Sequence, residues 1–84
     1  MEKTQTLDFE NRIQLIAERI KDLRESSGYN LEEVSTGIGI PIEEYAKYEN
    51  GELDFPLSVI HNLAHFYKVE MSEILEGSSA RLSN

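Results

Sequence analysis

Glycine and proline divide this chain into short segments, and each segment has the apolar spacing of a helix. The dividing residues are Gly28, Gly39, Pro41, Gly51, Pro56 and Gly77. Between them, apolar residues recur every three or four positions, which is typical of amphipathic helices and not of strands. A chain of 84 residues has room for a single domain. The pattern therefore predicts an all-α fold, a compact five-helix bundle around one core.

The first predicted helix is the longest, and it covers residues 9–23. Asp8 is a suitable N-cap, and Gly28 lies just beyond the end. The inward face is formed by Phe9, Ile13, Ile16, Ala17, Ile20 and Leu23. The opposite face carries the charged residues Arg12, Glu18, Arg19, Asp22 and Glu25, so we expect these five to lie in solvent.

A clear start signal marks the second helix. Asn30 is a good N-cap, and Glu33 three residues later completes a variant of the capping box. Gly37 and Gly39 follow within two turns and predict a short helix. Gly39 also supplies the left-handed residue that a sharp turn needs.

The third helix follows directly. Pro41 suits the first position of a helix, where its missing N–H costs nothing. Tyr45 and Tyr48 have the spacing of an inward-facing pair, and Gly51 ends the segment. Two helices joined by so tight a turn predict a helix-turn-helix motif at about residues 31–50.

Two more helices complete the predicted bundle, at residues 57–69 and 71–75. The inward face of the fourth is expected to consist of Leu57, Ile60, Leu63, Ala64 and Tyr67. The predicted organisation is a flexible N-terminal segment at 1–8, the helix-turn-helix domain at 9–76, and a polar tail or linker stump at 77–84.

Composition narrows the classes of function. The chain has no cysteine, and it has neither a signal-peptide start nor an apolar run long enough for a membrane span, so we expect a cytoplasmic protein.

The net charge of the chain is −8, and residues 30–58 contain seven acidic residues against one base, Lys47. Proteins that bind DNA usually present a basic face, because contacts to phosphates supply much of the affinity.

Five stretches of the sequence, in order, resemble one family. They are residues 16–25 with Gly28, residues 30–35, residues 39–41, residues 45–51, and residues 63–66 with Val69. Together the chain resembles the Cro/repressor-type (XRE family) helix-turn-helix transcriptional regulators, with a lambda-repressor-like DNA-binding domain, over about residues 13–76. The resemblance implies a sequence-specific DNA-binding transcriptional regulator, a repressor, that binds double-stranded DNA as a homodimer, or the DNA-binding module of a larger regulator with a C-terminal sensor domain.

The resemblance also implies one ion pair. In this family an arginine near the end of the first helix meets a glutamate at the end of the third, and the matching residues are Arg24 and Glu49. Such a pair would determine how the third helix lies on the first. The alternative is that the two are unrelated surface charges.

The DNA-binding positions that the family implies are Asn30, Leu31, Ile42, Glu43, Glu44, Lys47 and Asn50. Lys47 is the one strong cation among them, whereas relatives place polar or basic residues at several of these positions. Arg12, Arg19 and Lys21 on the first helix are candidates for further phosphate contacts. An alternative remains open, in which the same helices form an acidic, apolar docking face of a protein-interaction module.

No other group of residues in the sequence predicts an enzymatic site. His61 and His65 have a spacing that can bind one metal ion, but no third ligand is evident, so surface histidines are expected and no metal or cofactor is predicted. No phosphate-binding loop or nucleophile motif is present, and we expect no enzyme. A homodimer contact is expected on the fourth and fifth helices, where Phe55, Phe66, Met71 and Leu75 supply apolar surface.

Overall fold

The backbone of residues 2–76 and the side chains of residues 11–76 are described by a computed structural model of the chain. This part of the chain forms five α-helices and contains no β-strand. The helices are α1 (Glu2–Ser26), α2 (Leu31–Ile38), α3 (Ile42–Glu49), α4 (Leu57–Tyr67) and α5 (Met71–Glu76). The prediction of an all-α five-helix fold is confirmed. The predicted polar tail at 77–84 lies outside the described residues.

Helix α1 begins earlier than the sequence pattern indicated. It starts at Glu2, so Asp8 lies inside the helix and is not its N-cap, and residues 2–8 are helical. The sequence offers a reason, because residues 2–7 contain no glycine or proline and include the good helix formers glutamate, lysine, glutamine and leucine. The apolar stripe marks the part of a helix that packs on the core, and a helix can extend beyond it.

The start and the end of α2 agree with the sequence. The side chain of Asn30 accepts a hydrogen bond from the Glu33 backbone N–H at 2.8 Å, and the Asn30 backbone N–H donates to the Glu33 carboxylate at 2.8 Å. These two bonds form the predicted capping box. Gly39 follows the helix with φ 77° and ψ 33°, the left-handed conformation that the turn requires.

Helix α2 has eight residues, as short as expected, and Gly37 lies inside it. A Cβ atom at this position would overlap the ring of Phe66 on α4. The glycine therefore lets the backbone of α2 approach an aromatic side chain of α4, and its cost in helix propensity is offset by that close packing.

The core lies where all five helices meet. Its fully or nearly buried apolar residues are Ile16, Ala17, Ile20, Val34, Tyr45, Tyr48, Phe55, Val59, Ile60, Leu63, Ala64 and Ile74. Helix α1 packs against α3 and α5, and α4 packs against α2 and α5. The third helix is thus held between α1 and α2, with one side toward the core. Among the described helices, none is long and apolar enough to cross a membrane.

Two residues around Pro56 exchange their expected roles. Leu57, expected in the core, is 67% exposed at the first position of α4. Phe55, expected on the surface as part of a dimer contact, is buried and stacks on Tyr48 with a ring-centre distance of 5.1 Å. Because the aromatic ring in the linker occupies this part of the core, the first turn of α4 has no inward place for a leucine.

Arg19 also departs from its expected place in solvent. Its side chain is half-buried, and its Nη1 donates to the carbonyl oxygens of Ile74 at 3.2 Å and Leu75 at 2.7 Å. Carbonyl groups in the last turn of a helix have no partner within that helix. Arg19 therefore satisfies the end of α5 and joins it to α1.

Candidate nucleic-acid interface

The helix-turn-helix consists of α2, the turn at residues 39–41, and α3. Pro41 occupies the N-cap position of α3 with φ −63°, and the backbone N–H of Ile40 closes the turn by donating to the Ser35 carbonyl at 3.0 Å. Helix α3 ends at Glu49 and is followed by Gly51 with φ 76°. The tight turn thus joins two eight-residue helices that pack against each other.

The inner side of α3 is buried through three residues, Tyr45, Tyr48 and Glu49. At about 100° per residue, these positions lie on one side of the helix. Glu49 is unusual there, because a carboxylate is seldom buried unless a cation and hydrogen bonds compensate for the loss of water.

Arg24 provides that compensation. Its Nε donates to Glu49 Oε2 at 2.8 Å and its Nη2 donates to Glu49 Oε1 at 3.1 Å, in a two-pronged contact between α1 and α3. The two side chains are 13% and 4% exposed. A third bond, from Nη1 to the Tyr29 carbonyl at 3.0 Å, fixes the guanidinium plane. The hydrogen bond to Glu49 raises the pKa of Arg24, so the guanidinium remains charged.

Two tyrosine hydroxyl groups lie close to this pair. In the described part of the chain, the hydroxyl oxygens of Tyr45 and Tyr67 are buried and have no hydrogen-bond partner. Burial raises the pKa of both tyrosines well above the usual value, and the negative charge of Glu49 raises both further. Both side chains therefore resist ionisation more strongly than a tyrosine in solvent.

The outer side of α3 carries polar residues that face solvent. Glu43, Lys47 and Asn50 are all exposed and lie at steps of four and three along the chain, opposite the buried side. The Asn50 amide donates to the Glu52 carboxylate at 3.3 Å. We call the three residues Glu43, Lys47 and Asn50 the outer stripe of α3.

The other proposed DNA-contacting residues are partly engaged within the protein. The Asn30 side chain caps α2, and Leu31 is half-buried against the core. Glu44 is half-buried and accepts a hydrogen bond from the Tyr48 hydroxyl at 2.8 Å. Ile42 is 39% exposed and stands beside the outer stripe.

The described basic residues of α1 fall into two groups, and the engagement of Arg19 is the one that the sequence did not indicate. Arg12 and Lys21 are exposed, whereas Arg19 and Arg24 hold other helices through hydrogen bonds. A signal for Arg19 exists, because it follows Ile16 by three positions and so borders the buried stripe. His61 and His65 are exposed on α4, and no group of three potential metal ligands occurs among the described side chains.

Comparison with known proteins agrees with this geometry. The family model described as Helix-turn-helix matches residues 20–74, which is most of the chain. The chain belongs to this helix-turn-helix family. The resemblance that the sequence showed, and the fold expected from it, are confirmed. No solved structure matches the chain.

Two curated helix-turn-helix relatives are similar over about four fifths of the chain. One is the cryptic phage CTXphi transcriptional repressor RstR of Vibrio cholerae, 34% identical over 81% of this chain and 61% of its own length. The other is the SPbeta prophage-derived uncharacterized HTH-type transcriptional regulator YonR of Bacillus subtilis, 30% identical over 80% of this chain and 62% of its own length. The match thus spans about three fifths of each relative.

Proposed function

We propose that this chain is a DNA-binding transcriptional regulator, a repressor, or the DNA-binding module of a longer one, and that it has no enzymatic activity. The observation that carries the proposal is the helix-turn-helix match over residues 20–74, together with relatives that are named a transcriptional repressor and a transcriptional regulator. The geometry agrees, because α3 is fixed on its inner side and open on its outer side.

Helix α3 is the element that enters the major groove. An α-helix with its side chains is about 10–12 Å across, and the major groove of B-DNA is about 12 Å wide. Ile42, Glu43 and Lys47 then face the edges of the bases, and Asn30 and Asn50 lie near phosphates at the two sides of the groove. Leu31 packs against the core and Glu44 is bound by the Tyr48 hydroxyl, so we assign neither of them a contact with DNA.

Phosphate contacts alone give this protein little affinity. Arg19 and Arg24 are engaged inside the bundle, so Arg12, Lys21 and Lys47 are the exposed cations that helices α1 and α3 offer in the described side chains. Binding as a homodimer compensates, because two half-sites about one helical turn apart are contacted together. The exposed Leu15 and Leu75 border one groove between α1 and α5 and are candidates for the dimer contact.

The same proposal covers the organisation of the chain. Residues 9–76 form the DNA-binding domain, and residues 77–84 are either a polar tail or the start of a linker to the C-terminal sensor domain of a longer regulator. The protein acts in the cytoplasm and represses by covering a promoter.

Selection from random DNA duplexes tests the proposal. A folded, dimeric sample should enrich a palindromic sequence at low salt. Because few phosphates are neutralised, the logarithm of affinity should fall only shallowly with the logarithm of salt concentration, by about 0.9 for each phosphate contact. No retention of any duplex at low salt would refute DNA binding and favour the protein-interaction module.

A further inference from the structure

The outer stripe contains two opposite charges that are both available. Glu43 and Lys47 are exposed and stand four residues apart, with the glutamate first, which is the order that best allows an ion pair within a helix. Nevertheless, among the side chains of residues 11–76, neither forms an ion pair or a hydrogen bond. Both charges are therefore free to meet a ligand.

The neighbouring glutamate is held differently. Glu44 accepts a hydrogen bond from Tyr48, whose ring is buried and stacks on Phe55. Its carboxylate is therefore directed toward the protein. Two adjacent glutamates that look alike in the sequence thus have different surroundings, and Glu43 is the one whose carboxylate is open to a partner.

The major groove offers a complement to each free charge. Cytosine presents an N4 amino donor, and guanine presents the O6 and N7 acceptors. A carboxylate matches the first, and an ammonium group matches the second. We propose that Glu43 accepts a hydrogen bond from a cytosine N4 and that Lys47 donates to a guanine in each half-site. This inference rests on the proposed DNA-binding function.

The same arrangement gives the exposed carboxylate of Glu43 a role in selectivity. Opposite guanine or thymine, which present no amino group in the major groove, the Glu43 carboxylate meets base acceptors, and it also repels the phosphates. Glu43 therefore acts mainly by weakening the binding of other sequences. It lowers the affinity for DNA in general and raises the selectivity for the matching sequence. A wrong base at either position should lower affinity by about 5- to 150-fold.

Selections with matched variants test this assignment. The parent, Glu43→Gln, Lys47→Ala and, as the control, Glu44→Gln are each used to enrich random duplexes. Glu43→Gln should change one position of the motif from cytosine to adenine, because a glutamine amide pairs with adenine N6 and N7. Lys47→Ala should relax the preference at a guanine position, and Glu44→Gln should leave the motif unchanged. Circular dichroism and thermal unfolding verify that each variant is folded.

The outcomes separate the inference from the function on which it rests. If the parent enriches a palindrome and Glu43→Gln enriches the same one, the assignment of Glu43 is wrong while DNA binding stands. If Glu44→Gln changes the motif as much as Glu43→Gln does, the distinction between the two glutamates is overturned. If the folded parent enriches nothing at low salt, both the inference and the proposed function are refuted.

Discussion

The inner and outer sides of α3 differ in burial and in hydrogen bonding. On the inner side, Tyr45 and Glu49 are buried, and Glu49 is held by two hydrogen bonds from Arg24. On the outer side, Glu43 and Lys47 are exposed and have no such bonds to the rest of the described chain. The inner side determines where the helix lies, and the outer side determines what it can bind. The exposed carboxylate of Glu43 is therefore fully compatible with a helix-turn-helix fold.

The largest effect should come from removing the cation on the inner side. Arg24→Met retains the aliphatic part of the side chain but leaves the Glu49 carboxylate buried without a partner. The free energy of unfolding should fall by about 3–5 kcal/mol, a large part of the roughly 5–15 kcal/mol typical of a domain. Urea denaturation followed by circular dichroism measures this loss.

A double variant shows whether the buried charge is the cause. Arg24→Met combined with Glu49→Met removes the charge that the single variant leaves unpaired, so it should be more stable than Arg24→Met alone. If the double variant is as unstable as the sum of both single variants, the pair does not act as a unit and the inner side is held by apolar packing alone.

A smaller effect should appear at alkaline pH. Because the pKa of Tyr45 is raised in the folded protein, the unfolded chain loses the Tyr45 proton at a lower pH than the folded chain does. The contribution of Tyr45 to the free energy of unfolding is therefore fully present below about pH 10 and is lost progressively above it. The loss for one such tyrosine is about 1.4 kcal/mol for each pH unit. Tyr45→Phe should therefore reduce the slope of stability against pH by about this amount between roughly pH 10.5 and 12.

The same variant should cost little at neutral pH. The Tyr45 hydroxyl is buried near the Glu49 carboxylate without a hydrogen bond of good geometry, so phenylalanine removes a polar atom that gains little from burial. Urea denaturation at a series of pH values measures both quantities. An unchanged alkaline slope would show that Tyr45 ionises as readily in the fold as in the unfolded chain.

The smallest effect on stability should come from the outer side. Lys47→Ala removes an exposed side chain without a described partner, and it should change the free energy of unfolding by no more than about 0.5 kcal/mol. A thermal unfolding curve provides the measurement. A loss above about 1 kcal/mol would mean that the outer side also supports the fold, and the contrast between the two sides would not hold.

Much of the fold could be predicted from local signals in the sequence. The Asn30 cap and the Gly39 turn depend on hydrogen bonds and dihedral angles within a few residues, which a sequence pattern contains. The partnership of Arg24 with Glu49 was available through the family resemblance. In each case a physical requirement limits the residue type: a polar side chain for the cap, a glycine for the left-handed turn, and an arginine for the buried carboxylate.

Long-range contacts could not be predicted in this way. Arg19 reaches carbonyl groups 55 and 56 residues away along the chain, and Phe55 takes a core position next to Tyr48 from within a linker. These two contacts arise from three-dimensional packing and leave no periodic trace in the sequence. At the candidate site, Glu44 differs from Glu43 through a local contact, because the hydroxyl of Tyr48, four residues later on the same helix, donates to the Glu44 carboxylate.

The glycine inside α2 makes the close approach of α2 to α4 depend on a missing methyl group. A Cβ atom at position 37 would overlap the ring of Phe66, so a side chain there requires the Phe66 ring or the α2 backbone to move. If the backbone moves, the tight turn carries the displacement to α3, and every base contact proposed for α3 shifts together. A substitution at position 37 would then weaken the proposed DNA binding without removing any group assigned to DNA.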